Sequence, residues 1–358
     1  MRTRFHIPVK LFLFLSIGAV FVLVVHLVLF MTTPPSREKE YKEVLVTEGS
    51  TFRSVASQLK REGIITDKET FILLGKIKRS TRKIRAGFYS FNTGMLPREV
   101  LDILEKGKII EYQVVIPEGF DMKEVAGAVE EKGLTTKEEF LKKATDPLYV
   151  RTLGLEGGTL EGYLFPATYF FPKGITLDGI IKQMVSKYKQ VFDDEMKARS
   201  AALGMTEGQV VTMASLVEKE AALDSERLLI SAVFHNRLKK GIPLQCDPTV
   251  IYYLQMKGGW NGDITKEDLR RKNPYNTYKI KGLPPGPIAN PGKPSIIAAL
   301  YPADVDYIYF VSKNDGTHYF SSTLAEHNRA VMEYQVMPNL SSIESKAKRK
   351  KLLTGSAR

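Results

Sequence analysis

Apolar and polar positions alternate along this chain with three different periods. Leu11 to Met31, LFLFLSIGAVFVLVVHLVLFM, is a continuous apolar run of 21 residues without Asp, Glu, Lys or Arg. A helix of that length spans the roughly 30 Å of a bilayer's hydrocarbon core. PPSREKEYKE (34–43) is polar and begins with two prolines, which predicts a linker. Beyond it, short runs of strand type alternate with amphipathic stretches of helical spacing. The stretch 175–203 has apolar residues at near-helical intervals and predicts one helix. Thr206 with Gln209 three residues later is a capping box, so a helix is expected to start there and run through GQVVTMASLVEKEAAL. KAKRKKLLTGSAR (346–358) reads as a basic, disordered tail.

An internal repeat lies between the linker and residue 140. VTEGSTFRSVASQLKREGIITDKE begins at Val46 and VIPEGFDMKEVAGAVEEKGLTTKEE at Val115. An offset of 70 residues pairs Glu48-Gly49 with Glu118-Gly119, Gly63 with Gly133 and Thr66 with Thr136. Each copy predicts a strand, a helix ending at Gly and a second helix capped by Thr66 or Thr136. A unit of this kind resembles the LysM-like modules that bind cell-wall glycans. The alternative is a packing unit without a ligand. The expected organisation is α+β: N-terminus (1–10), single transmembrane helix (11–31), linker (32–44), LysM-like domain (45–110), second repeat and connector (111–172), C-terminal mixed α/β domain (173–338) and basic tail (339–358).

Charge and composition narrow the location and the partners. Arg2, Arg4 and Lys10 precede the apolar run, so the positive-inside rule places the N-terminus in the cytoplasm and the remainder outside. The run is longer than a signal-peptide core and no A-x-A-like site follows, which favours an uncleaved anchor. The net charge of +12 suits an anionic membrane surface or polymer. No nucleic-acid motif accompanies it, and nucleic acid is not expected as a partner. Cys246 is the single cysteine, so no intramolecular disulfide exists. Five histidines without metal-ligand spacing predict neither a metal nor a cofactor. His235 and His327 read as helix or core residues.

ASLVEKEAA (214–222) places two glutamates beside apolar residues. At about 100° per residue, Glu218 falls between Ala214 and Val211, and Glu220 between Met213 and Leu216. Periodicity alone does not choose between them. For either, the bland alternative is a salt bridge with Arg227 or Lys219. Downstream, QCDPTV (245–250), YNTY (275–278), GLPPGPIANPG (282–292) and THYF (317–320) are rich in Pro, Gly and hydrogen-bonding side chains, a composition of rigid functional loops.

VEKE, QCDPTV, YNTY, GLPPGPIANPG and THYF followed by HN, with the N-terminal anchor and LEGYLFPATY, resemble the MltG (YceG-like) family of membrane-anchored endolytic murein transglycosylases. The resemblance covers nearly all of residues 8–335. It implies that Glu218, the first glutamate of VEKE, is the catalytic acid. Gln245, Asn276, Tyr278 and His318 are then expected to bind substrate, with Glu220 and Asp247 in structural roles. Where the family pattern has Thr, this chain has Cys246.

The implied reaction is that of a lyase. It cleaves the MurNAc–GlcNAc β-1,4 bond of peptidoglycan and leaves 1,6-anhydro-MurNAc ends, terminating glycan elongation. An acid of this kind must start protonated, which calls for an apolar surround such as Val211, Ala214 and Val217. The implied partners are nascent peptidoglycan glycan strands, the inner (cytoplasmic) membrane through the single-pass anchor, and peptidoglycan synthases. Two other readings use the same features: a muramidase-type hydrolase, and a non-catalytic glycan-binding scaffold of the synthesis complex.

Overall fold

The computed structural model of the protein describes residues 9–81 and 84–337. The expected basic tail (339–358) and residues 1–8 of the expected cytoplasmic N-terminus lie outside them. The described chain divides into two compact units. One runs up to Gln113 and includes Phe170–Ile175; the other comprises Val114–Tyr169 and the residues from Thr176 onward. The second repeat, expected as a segment of its own, therefore belongs to the larger unit.

The first unit contains α1 (Val9–Thr32), β1 (Tyr41–Val46), α2 (Phe52–Arg61), α3 (Lys68–Ile77), β2 (Gly87–Asn92) and α4 (Pro97–Glu105). β1 pairs antiparallel with β2, from Tyr41 opposite Asn92 to Val46 opposite Gly87. Strand structure thus begins inside the segment read as linker. Within α1, Phe12–Thr32 is long and apolar enough to cross a membrane. Its C-terminal end joins the core of the unit: Phe30 is buried, Leu27 and Met31 pack beside it, and His26 Nε2 lies 3.1 Å from Thr70 Oγ1. Phe52 stacks on Phe71 across α2 and α3 at 5.5 Å.

β3 (Glu111–Ile116), α5 (Met122–Glu131), α6 (Lys137–Ala144), α7 (Pro147–Thr152) and β4 (Ala167–Pro172) follow, with β3 paired to β4. Both repeats therefore have strand–helix–helix–strand order, and α7 is an addition to the second. Gly63 and Gly133 take φ of +71° and +67° just past α2 and α5, a left-handed conformation that stops each helix and costs glycine little. Thr136 caps α6 and forms a capping box with Glu139. In the first repeat the cap is Asp67, one residue beyond the expected Thr66, because its carboxylate accepts from Thr70 N at 2.8 Å.

The rest of the larger unit is α8 (Leu177–Val191), α9 (Asp194–Ala202), α10 (Glu207–Glu220), α11 (Arg227–Lys239), α12 (Asp247–Lys257), α13 (Lys266–Arg270), α14 (Lys293–Leu300), β5 (Tyr309–Ser312), β6 (His318–Ser321) and α15 (Leu324–Val331). The single helix expected over 175–203 is two, because Asp193 caps a new start by accepting from Met196 N. α10 packs against α9, α11, α12 and α14. β5 and β6 form an antiparallel hairpin with α15 packed on it.

Candidate functional site

α10 begins as its sequence predicts. Thr206 Oγ1 accepts from Gln209 N, and the Gln209 side chain accepts from Thr206 N at 2.8 Å. Residues Val210 to Val217 are then buried without exception, including Thr212 and Ser215. Thr212 satisfies its hydroxyl on Gly208 O, and Ser215 on Thr212 O. Ser215 Oγ also accepts from Ile288 N at 3.1 Å, tying the Pro-rich loop to the helix. A helix buried all round has no solvent face, so the stripe margins seen on a helical wheel do not tell where its carboxylates go. Glu220 is its last residue.

The two glutamates enter different surroundings. Glu218 is not bordered by apolar groups alone. Its Oε1 accepts from Arg227 Nη1 at 3.0 Å and its Oε2 from Gly292 N at 2.9 Å, with 6 % of the side chain exposed. The salt bridge with Arg227, the bland alternative for this residue, is thus formed. Arg227 also donates to Ser295 Oγ and Asp224 Oδ1. Glu118, from the second repeat, stands 4.0 Å from Arg227 Nη2, and its carboxylate covers Gly292 where a Cβ would otherwise be. Burial, followed by the charge of Glu218, pushes the Glu118 carboxyl above its usual range.

Glu220 lines a cavity of about 280 Å³ with Arg237, Leu244, Gln245, Asp247, Tyr278, Phe310 and His327. Burial pushes its carboxyl up to about 7; the charge of Asp247 adds to this, and a hydrogen bond with the Cys246 thiol opposes it. Cys246 is itself fully buried, and burial followed by the Glu220 charge holds it as a neutral thiol. Tyr278 Oη donates to Asp247 Oδ1 at 2.6 Å. Gln245 has a φ of +53°, a left-handed conformation uncommon for a side chain of this size. It is held there by Gln245 N donating to Thr277 O at 3.1 Å and by Arg237 Nη1 donating to its Oε1 at 3.0 Å. The Gln245 amide therefore has its oxygen spoken for and its NH₂ left to donate.

The other expected substrate residues are not gathered at this cavity. Asn276 is fully buried; its Nδ2 serves the carbonyls of Asp268, Leu269 and Arg271, and its Oδ1 accepts from Tyr278 N at 2.9 Å. With its amide spent inside the protein, it shapes the YNTY turn and presents Tyr278. His318 Nδ1 lies 2.6 Å from Glu226 Oε2, and Glu226 also accepts from His318 N. His318 packs its ring edgewise on Phe310, one residue behind the cavity wall. Asp247, expected as structural, lines the cavity.

Arg237, Leu244 and Phe310 line the cavity without having been singled out from the sequence. His235 and His327, read as helix or core residues, lie in α11 and α15; His235 is bonded to Ala299 O at 2.8 Å, and His327 also faces the cavity. Arg237 is buried and donates to Ile308 O, Pro243 O and Leu244 O as well as to Gln245. No local pattern marks an arginine whose role is to hold a distant loop.

Another carboxyl outside this cavity is buried. Glu161, in the LEGYLFPATY segment, accepts from Met122 N at 3.0 Å, Tyr252 Oη at 3.1 Å and Asn290 Nδ2 at 3.3 Å. Burial pushes it up to about 8. Asn290 bonds in addition to Phe120 O and Leu164 N, so the GLPPGPIANPG loop is locked to the second repeat and to the aromatic connector.

Residues 44–333 match the YceG-like family. The chain is 36% identical over 319 residues to an endolytic murein transglycosylase of Bacillus subtilis (strain 168), covering 83% of this chain and 86% of that protein. It is 30% identical over 332 residues to an endolytic murein transglycosylase of Streptococcus pneumoniae (strain ATCC BAA-255 / R6), covering 84% of this chain and 59% of the relative. The crystal structure of a yceG-like protein from Listeria monocytogenes is similar with a TM-score of 0.55 and 34% identity, over 82% of this chain and 99% of that one. With the match running from β1 past α15 and taking in every residue of the Glu220 cavity, the chain belongs to the YceG-like family.

Proposed function

We propose that this protein is a peptidoglycan lytic transglycosylase held at the membrane by α1, cleaving the MurNAc–GlcNAc β-1,4 bond of nascent glycan and leaving 1,6-anhydro-MurNAc ends. Its relatives' name, endolytic murein transglycosylase, supports the reaction class. The observation that carries the site is Glu220: a carboxyl raised to about 7 by burial, on the wall of a polar cavity. It is the better acid of the two glutamates. Glu218, to which the family resemblance assigns that role, already has both oxygens engaged, by Arg227 and by Gly292.

In the proposed step, neutral Glu220 gives its proton to the glycosidic oxygen as the C1–O bond breaks. The C6 hydroxyl of the same MurNAc attacks C1 and releases its proton to the Glu220 carboxylate. A new C6–O–C1 bond closes the anhydro ring, and the acid is restored with no water consumed. An attacking hydroxyl built into the substrate has a high effective concentration, so one carboxyl suffices. Burial keeps Glu220 neutral and the charge of Asp247 adds to it, and Tyr278 and Gln245 present an anchored phenol and amide to the sugar. Action on glycan near the membrane would make the enzyme a terminase of elongation beside the synthases, and the LysM-like repeats would bind the strand.

Digestion of purified peptidoglycan by the parent, Glu220→Gln and Glu218→Gln tests this. Glu220→Gln is expected to lower the rate by about 10²–10⁴. Rates equal to the parent would remove Glu220 from the reaction. A muramidase-type hydrolase is the second reading, favoured by the presence of Asp247 in the same cavity, since hydrolysis generally employs a second carboxylate. Product masses separate the two: anhydro ends lack one water, and reducing-end MurNAc alone would establish hydrolysis.

A further inference from the structure

His327 is the one titratable group of the cavity wall with no stated task. It belongs to α15, whose start is fixed by Thr323 and Glu326 in a capping box. Its ring lies nearly parallel to that of Tyr309 on β5, with centroids 4.9 Å apart and planes 20° apart. Stacking holds the ring, but no hydrogen bond does: Nδ1 is buried without a partner among the described residues. Buried polar atoms are nearly always paired, and an exception asks for a reason.

The neighbours narrow what that reason is. Arg237 stands over the same Tyr309 ring at 5.2 Å, but it donates to three backbone carbonyls and Gln245 and is no partner for a ligand anion. Burial, followed by the charge of Arg237, lowers the His327 pKa, so the ring is neutral at neutral pH. Besides Arg237, the titratable groups it shares the cavity with are Glu220, Asp247 and Tyr278. A neutral imidazole has one donor and one acceptor nitrogen, and a sugar hydroxyl is both acceptor and donor. The two match whichever tautomer is present, whereas a carboxylate or phosphate would call for a free cation.

We infer that His327 is a substrate-binding residue of this cavity, its neutral ring held on Tyr309 to take a hydrogen bond with a hydroxyl of the glycan. The inference rests on the proposed glycan reading of the cavity. It assigns His327 to binding and leaves proton transfer to Glu220. It also gives the β5–β6 hairpin and α15 a purpose: through Phe310 and His327 they carry part of the cavity wall.

The test is equilibrium binding of a GlcNAc–MurNAc tetrasaccharide to the full-length protein in detergent, in the Glu220→Gln background so that the probe is not cleaved. His327→Phe keeps a ring to stack on Tyr309 and removes both nitrogens. It is expected to weaken binding about tenfold, the loss of one hydrogen bond of ordinary strength, with the melting temperature unchanged. His327→Gln, which restores a donor and an acceptor, should recover most of the affinity. Binding by His327→Phe within twofold of its background overturns the inference. If the Phe variant does not fold, His327→Ala against His327→Gln decides it, and equal affinities overturn it. Absence of tetrasaccharide binding in the Glu220→Gln background itself overturns the glycan reading of the cavity and this inference with it.

Discussion

Arg227 donates to Glu218 at 3.0 Å, with only 10 % and 6 % of the two side chains exposed. The pair joins the last turn of α10 to the first residue of α11, and through Gly292 N and Ser295 to the start of α14. Removing one member of such a pair leaves the other charge buried and unpaired. Arg227→Met should therefore destabilise the protein by about 3–5 kcal/mol, read by denaturant unfolding. Glu218→Gln retains one acceptor oxygen, enough for Arg227 or for Gly292 N but not both; because Arg227 keeps Asp224 and Ser295 as acceptors, it should cost less than Arg227→Met. If Arg227→Met were neutral, the pair would not be holding the three helices.

Activity should fall as pH rises through about 7, because the acid form of Glu220 is lost there. Asp247 contributes to that position by its negative charge, after the larger effect of burial. Asp247→Asn should move the alkaline limb of the rate profile to lower pH. Cys246→Ser, which replaces a weak thiol donor by a hydroxyl, should move it the same way, since a stronger hydrogen bond favours the Glu220 carboxylate. A pH–rate series on the parent and both variants checks the direction. An unmoved limb in both would mean that Glu220 does not set it.

Glu161 links the same physics to stability. Its carboxyl is raised from 4.5 to about 8 in the folded protein. Between those values an unfolded chain has released a proton that the folded one still holds, so stability is full below about 4.5 and is lost as pH rises through about 8. Glu161→Gln should flatten that slope and melt higher than the parent at alkaline pH. Thermal unfolding from pH 4 to 9 measures it, and parallel curves for the two proteins would contradict it.

A methyl group on Gly292 would meet the carboxylate of Glu118, the far end of a side chain that is 44 % exposed and can turn aside. Gly292→Ala should therefore cost less than about 1 kcal/mol, below the usual range for overpacking a fixed core. Denaturant unfolding measures it, and a loss of several kcal/mol would show that Glu118 is held in place.

Local rules were enough for the elements whose signals are carried by neighbours in sequence. The capping boxes of Thr136 and Thr206 and the helix-ending Gly63 and Gly133 are legible because each depends on residues within a turn or two, the apolar run of α1 because it is continuous, and the 70-residue repeat because its two copies align directly. In the first repeat the expected cap, Thr66, gives way to its neighbour Asp67, which is also a good cap. What the amino-acid sequence left open was everything that depends on neighbours distant in the chain. Glu218 and Glu220 are equivalent on a helical wheel. Arg227, Gly292, Asp247, Tyr278 and His327, brought in from three other helices and two loops, make one of them a buried ion pair and the other a half-buried acid on a cavity wall. Asn276 and His318 have the residue types of a sugar site, yet the Asn276 amide is spent on carbonyls at the end of α13 and His318 Nδ1 on Glu226. Side-chain chemistry is written in the sequence; the local dielectric and the hydrogen-bond partners that decide how it is used are set only when the helices pack.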